Sequence, residues 1–292
     1  MGGSNPPCAT IVLVGLLFFG LVGCASPFQS QGANQKPAVP EVILATTTSV
    51  YDTGLLDALI PSFEKETGYQ VKTIAVGSGA ALAMGERGEA DVLLTHDPES
   101  EAKLVGEGAV LNRTTIMHNF FLVVGPSGDP TGIQGGRDAP VAMRKIAAAK
   151  ALFVSRGDDS GTHVKEKKLW SAAGVSPSGS WYQVTGQGMG QTLVVASEKV
   201  AYTLTDKGTF LSLKKNLTLE AMVEDAPQLL NTYSVMQVNP QRFSRVNGTG
   251  GEALVRYLTS SQVQTQIASF GVAKFGEPLF IPDLEKREKT AR

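Results

Sequence analysis

The sequence predicts an α/β fold, and three observations carry that expectation. Val42-Ile43-Leu44-Ala45 is a short, continuous apolar run of the kind that forms a strand buried on both faces. Strand, loop and helix patterns then alternate three times within about 60 residues, which argues for βαβ units, right-handed crossovers and a parallel sheet. A second series of the same kind starts near residue 141. With 292 residues, a net charge of -1 and 18% charged side chains, the chain has the composition of a folded protein. No basic excess points to nucleic acid, and the length suits one large domain or two lobes.

Taken in order, the chain opens with an apolar run at 9–22, too short to span a membrane comfortably as a mature helix. It reads as the core of a secretory signal, although no Lys or Arg precedes it. Leu21-Val22-Gly23-Cys24 resembles the bacterial lipobox, so residues 1–23 are expected to be a signal peptide and Cys24 the lipidated residue. Residues 24–40, rich in Ser, Gln, Gly and Pro, then form a flexible tether. Cys8 and Cys24 are the only cysteines, so the folded body contains neither a disulfide nor a reactive thiol.

The first strand ends in Thr46-Thr47-Thr48-Ser49. Asp52 or Thr53 is expected to cap a helix carrying Leu55, Leu56, Leu59, Ile60 and Phe63, which Thr67-Gly68 terminates. A strand over 70–76 leads into Gly77-Ser78-Gly79, a helix over 80–88 and a strand over 91–94. Extended segments at 115–117 and 119–125 and the polar stretch 126–130 suit a crossing between lobes. The second series has helices over 141–150, 160–173 and 187–197, strands over 151–154 and 199–204, and a short helix over 205–211. A strand over 232–238 carries the chain back, and amphipathic helices over 250–259 and 261–270 complete the first lobe. The expected organisation is thus lobe one at 41–125 and 232–275, lobe two at 126–231, and a tail at 276–292 whose Lys286, Arg287, Lys289 and Arg292 are solvated. The halves show no alignable repeat.

Three loops stand at strand ends, where open α/β sheets bind ligands. Thr47, Thr48 and Ser49 combine hydroxyls with the free N–H groups and positive dipole end of the following helix, a setting that favours an anion. Gly77-Ser78-Gly79-Ala80 occupies the equivalent place after the second strand, and its glycines admit close approach of the backbone. In the second lobe, Ser155-Arg156-Gly157-Asp158-Asp159-Ser160-Gly161-Thr162 adds one guanidinium, whose planar donors match two oxygens of a tetrahedral oxyanion. Ser and Thr there are also ordinary helix caps, and Asp158 or Asp159 could orient Arg156.

The lipobox, the run Val42 through Ser49, Val76-Gly77-Ser78-Gly79-Ala80, Asp91-Val92-Leu93-Leu94-Thr95-His96-Asp97-Pro98, the stretch 155–163, and Ala201-Tyr202-Thr203-Leu204-Thr205-Asp206-Lys207-Gly208-Thr209 together resemble the tungstate-binding proteins of tungstate ABC transporters. The resemblance spans essentially all of residues 41–275. It implies a two-lobed periplasmic-binding-protein type II fold with the ligand in the cleft between lobes and no cofactor. It further implies tungstate or molybdate as cargo, and a permease with its ATPase as partners. The location it implies is the periplasm or cell surface, with the protein a lipid-anchored monomer. Residue by residue it places Thr47, Thr48, Ser49 and Ser78 on the anion from one lobe and Arg156, Ser160, Gly161 and Thr162 from the other, with Thr95, Tyr202 and Tyr233 as further cleft candidates.

The segment from Arg156 to Thr162 also resembles the Arg-x-Asp-Gly-Ser-Gly-Thr stretch of phosphate-binding proteins, which makes phosphate the nearest competing ligand, with sulfate and a non-transport sensor as further alternatives. A donor-only site disfavours hydrogen phosphate, whose proton needs an acceptor, and the two first-lobe loops contain no carboxylate. An enzyme built on Ser160 or Ser49 with His163 or His96 is disfavoured, because no nucleophile elbow is present and His163 is expected on the outer helix face. No metal-ligand spacing links His96, His118 and His163, which read as structural histidines.

Overall fold

The computed structural model describes residues 1–3 and 37–283. The apolar run at 9–22, Cys24, most of the tether and the basic residues of the tail lie outside the described residues. From the first strand the chain runs β1 (Glu41–Thr47), α1 (Thr48–Tyr51), α2 (Leu55–Thr67), β2 (Gln70–Val76), α3 (Ser78–Glu86), β3 (Val92–Thr95), α4 (Pro98–Gly106) and β4 (Val110–Pro126). It continues through α5 (Ala139–Ala148), β5 (Phe153–Ser155), α6 (Gly161–Ala172), β6 (Tyr182–Val184), α7 (Met189–Glu198), β7 (Thr203–Asp206), α8 (Lys207–Leu213) and β8 (Leu219–Val223). The last elements are β9 (Leu230–Val238), α9 (Gly248–Leu258), α10 (Ser261–Ser269), α11 (Val272–Phe275) and β10 (Ile281–Pro282).

The first-lobe sheet has the order β10-β4-β9-β3-β1-β2. Alternate residues of β1 enter different cores, which is why its apolar run is continuous. Leu44 packs with Leu59, Phe63 and the α9 and α10 residues Leu254, Leu258 and Ile267. Ala45 joins Ala81, Leu82, Leu93 and Met236 on the other face. Helix α2 buries Leu55, Leu56, Leu59, Ile60 and Phe63, and left-handed Gly68 ends it by donating to the Glu64 carbonyl. The second lobe repeats the two-faced arrangement, with Phe153, Trp170, Tyr202 and Leu204 in one cluster and Val124, Val154, Leu193 and Phe210 in the other.

Several expectations change. The sheet is mixed, because only β1 pairs in parallel with β2 and β3, while β9 is antiparallel to both β3 and β4. The segments expected at 115–117 and 119–125 are parts of one 17-residue strand. His118, which separates the two pieces in sequence, pairs with Thr232 of β9, and the strand also extends back through Asn112-Arg113-Thr114, where pairing with β9 is irregular. Helix α4, absent from the sequence reading, is weakly amphipathic but is capped by Asp97 and anchored by buried Glu101, which accepts from Thr95 Oγ1 at 2.8 Å and Arg113 Nε at 2.9 Å. Strands β6, β8 and β10 are also additions. The tail does not begin at 276: Leu279 and Phe280 are buried in the first-lobe core, and β10 pairs with β4.

Strand β4 joins the lobes. Phe120 pairs with Leu230 of β9, whereas the next residue, Phe121, pairs with Asp206 of β7. Beyond this point β7 and β8 flank β4 in the second lobe, and β9 brings the chain back at Leu230. The two crossings are therefore adjacent strands at residues 120–121 and 230. Among the described residues no helix is long and apolar enough to cross a membrane.

Candidate functional site

The three loops singled out in the sequence meet between the lobes. Thr47, Thr48, Ser49, Val76, Gly77, Ser78 and His96 from the first lobe, and Arg156, Ser160, Gly161 and Thr162 from the second, line one cavity of about 10 Å³. That is room for roughly one water, so the lobes are closed on each other.

Each side of the cavity begins a helix. Thr47 is the N-cap of α1, Gly77 of α3 and Ser160 of α6; at α2 the N-cap is Gly54, not the expected Asp52 or Thr53, for Asp52 closes α1 and Thr53 Oγ1 accepts from Leu55 N at 3.3 Å. Free N–H groups at the starts of α3 and α6 face the same space from opposite lobes, with their positive dipole ends. Thr47 Oγ1 and Ser49 Oγ lie 3.0 Å apart, and the Ser160 hydroxyl accepts from His163 N at 3.4 Å. Gly157, at φ +64°, turns the second-lobe loop where a Cβ would collide with Val184.

Arg156 is 8% exposed and is held by Asp158, which accepts from its Nη2 at 2.6 Å and from Ser160 N at 3.2 Å. Burial opposes ionisation of Asp158, but the bonds from Ser160 and the charge of Arg156 outweigh it and keep the carboxyl below its usual range. Arg156 Nε is buried without a partner among the described residues. A buried guanidinium N–H left unmatched costs about 1–3 kcal/mol, and an anion in the cavity is the kind of group that removes that cost. Two further carboxylates lie in the field of Arg156, Asp206 and Asp52, and burial pushes both upward. Asp206 is spent on Thr209, accepting from its N at 2.8 Å and its Oγ1 at 2.7 Å.

The three additional cleft candidates do not line the cavity. Thr95 is fully buried and donates to Glu101, so its hydroxyl is spent on holding α4. Tyr202 packs its ring over Gly125, donates to Asp129 and accepts from Thr131 in the turn that follows β4. Tyr233 stands behind the site, its ring 5.0 Å from that of His96 and its hydroxyl accepting from Asn231 Nδ2 at 2.7 Å.

His96, read from sequence as structural, is the residue that reasoning missed. Its Nε2 lies 3.4 Å from both Ser49 Oγ and Ser78 Oγ, and burial lowers its pKa to about 4. The signal was positional: His96 follows the C-terminal end of β3, the same topological place as the other loops. His163 is mostly covered and not on an outer face, and its Nδ1 accepts from Asp159 N at 3.0 Å instead of facing the Ser160 hydroxyl. His118 pairs with Asp283 at 2.9 Å, away from the cavity. No cluster of three or more metal-ligating side chains occurs among the described residues. A larger cavity of about 210 Å³ adjoins the site on the hinge side, sharing Ser78, His96 and Gly161 and reaching Phe121, Asn231 and Lys165.

Comparison with known proteins agrees with this architecture. Residues 31–262 match the PBP superfamily domain. The chain is 44% identical over 279 residues to the tungstate-binding protein TupA of Peptoclostridium acidaminophilum, covering 94% of this chain and 98% of that one. It is 39% identical to TupA of Campylobacter jejuni over 82% of this chain and 90% of that one. The structure of the tungstate-binding protein TupA from Desulfovibrio alaskensis superposes with a TM-score of 0.74 at 42% identity, covering 84% of this chain and 99% of that one. A tungstate ABC transporter structure from Geobacter sulfurreducens gives 0.68 at 43%, covering 76% and 95%. Two lobes joined by adjacent crossing strands, with an anion-suited cavity between them, thus coincide with sequence identity along nearly the whole chain: it belongs to the PBP superfamily and, within it, to the TupA family.

Proposed function

We propose that this protein captures a tetrahedral group-six oxyanion, tungstate in the first place and molybdate as its close analogue, and delivers it to the permease of an ABC transporter. It acts as a binding protein and carries out no chemistry, outside the cytoplasm and held to a membrane through Cys24. The observation that carries the reading is Arg156 Nε, a buried donor without a partner among the described residues, beside a cavity ringed by hydroxyls and helix N-termini from both lobes. Thr47, Thr48, Ser49 and Ser78 would donate from one lobe, and Arg156, Ser160, Gly161 N–H and Thr162 from the other.

The cavity is too small for a tetrahedral oxyanion as it stands, so capture requires the lobes to part at the crossing strands and reclose around the anion. Among the described residues no carboxylate lines it. Asp158, the nearest in sequence, is occupied by Arg156 and Ser160. Hydrogen phosphate would find no carboxylate to accept its proton, which favours a bare dianion. Calorimetric titration of the purified protein with tungstate, molybdate, sulfate and phosphate tests the reading. Tight tungstate binding is expected, and binding of phosphate alone would refute it. Assay of transport with and without the partner permease tests delivery, and mass spectrometry of the membrane-extracted protein tests lipidation at Cys24.

A further inference from the structure

We propose that His96 is a positioning residue of the oxyanion cradle: in the anion complex its Nε2–H donates to Oγ of both Ser49 and Ser78, so that each hydroxyl turns its single proton toward the anion. This role rests on the oxyanion reading above and supplies it with a basis for selectivity.

A serine hydroxyl has one hydrogen and two lone pairs, so what it offers a ligand depends on what else faces its oxygen. Here the same ring nitrogen stands 3.4 Å from both serine oxygens. The ring is packed on three sides: Tyr233 lies at 5.0 Å and Phe121 at 6.4 Å between centroids, and Gly161 closes on it from the second lobe, while its remaining edge borders the cavity of about 210 Å³. If Nε2 presented a lone pair, it would draw one hydroxyl proton to itself and leave an oxygen lone pair facing the cavity. That arrangement repels a bare dianion and welcomes a P–OH group. If Nε2 presents a hydrogen, both oxygens accept from the ring, and with Thr47 Oγ1, 3.0 Å from Ser49 Oγ, as donor in that contact, both serine protons are free for the anion.

The ring thus converts two ambivalent hydroxyls, one from the α1 turn and one from the first residue of α3, into committed donors. It acts through the serines and needs no contact with the anion. Burial keeps the ring neutral before the anion arrives. Asn231 is its other polar neighbour. The hydrogen on Nε2 can belong to the neutral Nε2–H tautomer or to an imidazolium formed as the dianion enters, and the serine geometry is the same.

The test combines two measurements on the full chain. Ring 15N shifts of the tungstate complex, with His118 and His163 assigned through single His→Gln variants, should show His96 Nε2 protonated. In calorimetry, His96→Leu should weaken tungstate binding by about tenfold or more and shrink the preference for tungstate over hydrogen phosphate. His96→Gln, whose side-chain N–H can reach the same place, should recover most of both. A bare Nε2 in the complex overturns the proposal, as does a Gln variant no better than the Leu variant at a similar melting temperature. Should His96→Leu fail to fold, the wild-type shifts and the Gln variant decide. Failure of the wild-type protein to bind tungstate would instead strike the oxyanion reading itself.

Discussion

Gly161, the first residue of α6 in the second lobe, lies directly against His96 of the first: a Cβ on Gly161 would fall 2.9 Å from both His96 Nε2 and Ser78 Oγ and closer still to His96 Cε1. The lobes touch across the site through this bare backbone. Gly161→Ala should therefore prop the cleft open. Tungstate affinity is expected to fall by about tenfold or more, since overpacking of this kind costs roughly 1–3 kcal/mol, with little loss of melting temperature in the anion-free protein. Calorimetry with small-angle scattering reads both effects.

Arg156→Ala removes the one guanidinium and leaves Asp158 without its partner. Binding should weaken by about 2–5 kcal/mol, the range for truncating a buried charged donor. Arg156→Lys should recover only part of this, because a single ammonium cannot replace the planar fork and the Nε donor together. Equal affinity in wild type and Arg156→Ala would remove Arg156 from the cradle.

Tyr202 stands outside the cavity, satisfied by Asp129 and Thr131. Tyr202→Phe should leave tungstate affinity within about twofold while lowering stability by about 1 kcal/mol, the typical worth of such a hydrogen bond. A large affinity loss in urea-verified folded protein would return Tyr202 to the site.

His96 also links stability to pH in the anion-free protein. Its folded pKa, about 4, lies below the ordinary 6.5. Between these values the unfolded chain binds more protons than the folded one. Stability from burying the neutral ring is therefore complete above about pH 6.5 and is lost as pH falls toward 4. The expected loss over this window is up to about 3 kcal/mol. Urea unfolding at pH 7, 5.5 and 4 should show it, and His96→Gln should flatten this acid limb.

Much of this molecule is legible in one dimension because its signals are local. A run such as Val42 to Ala45 must be covered on both faces, and a Ser or Gly at the foot of a helical pattern exposes N–H groups wherever the rest of the chain goes. The α/β class, the three donor loops and Arg156 follow from those rules, and the TupA resemblance ties them to one ligand class. Long-range pairing is a different matter. The antiparallel insertion of β9 between β3 and β4 depends on partners more than 100 residues apart, and the fusion of two extended pieces into β4 depends on β9. The same holds for Leu279 and Phe280, whose burial turns an expected tail into part of the first lobe.

Side-chain direction is the other quantity that local patterns leave open. Thr95 and His96 are neighbours at the end of β3, yet one hydroxyl turns away to buried Glu101 while the adjacent ring enters the cradle. Residue types and strand ends were enough to single out the hydroxyls, helix-start amides and one arginine that the structure brings to one cavity. Only the packing of α6 against the first lobe determined that a histidine completes the ring of polar groups, because a neutral imidazole becomes part of a site through what encloses it and not through any pattern it makes in the chain.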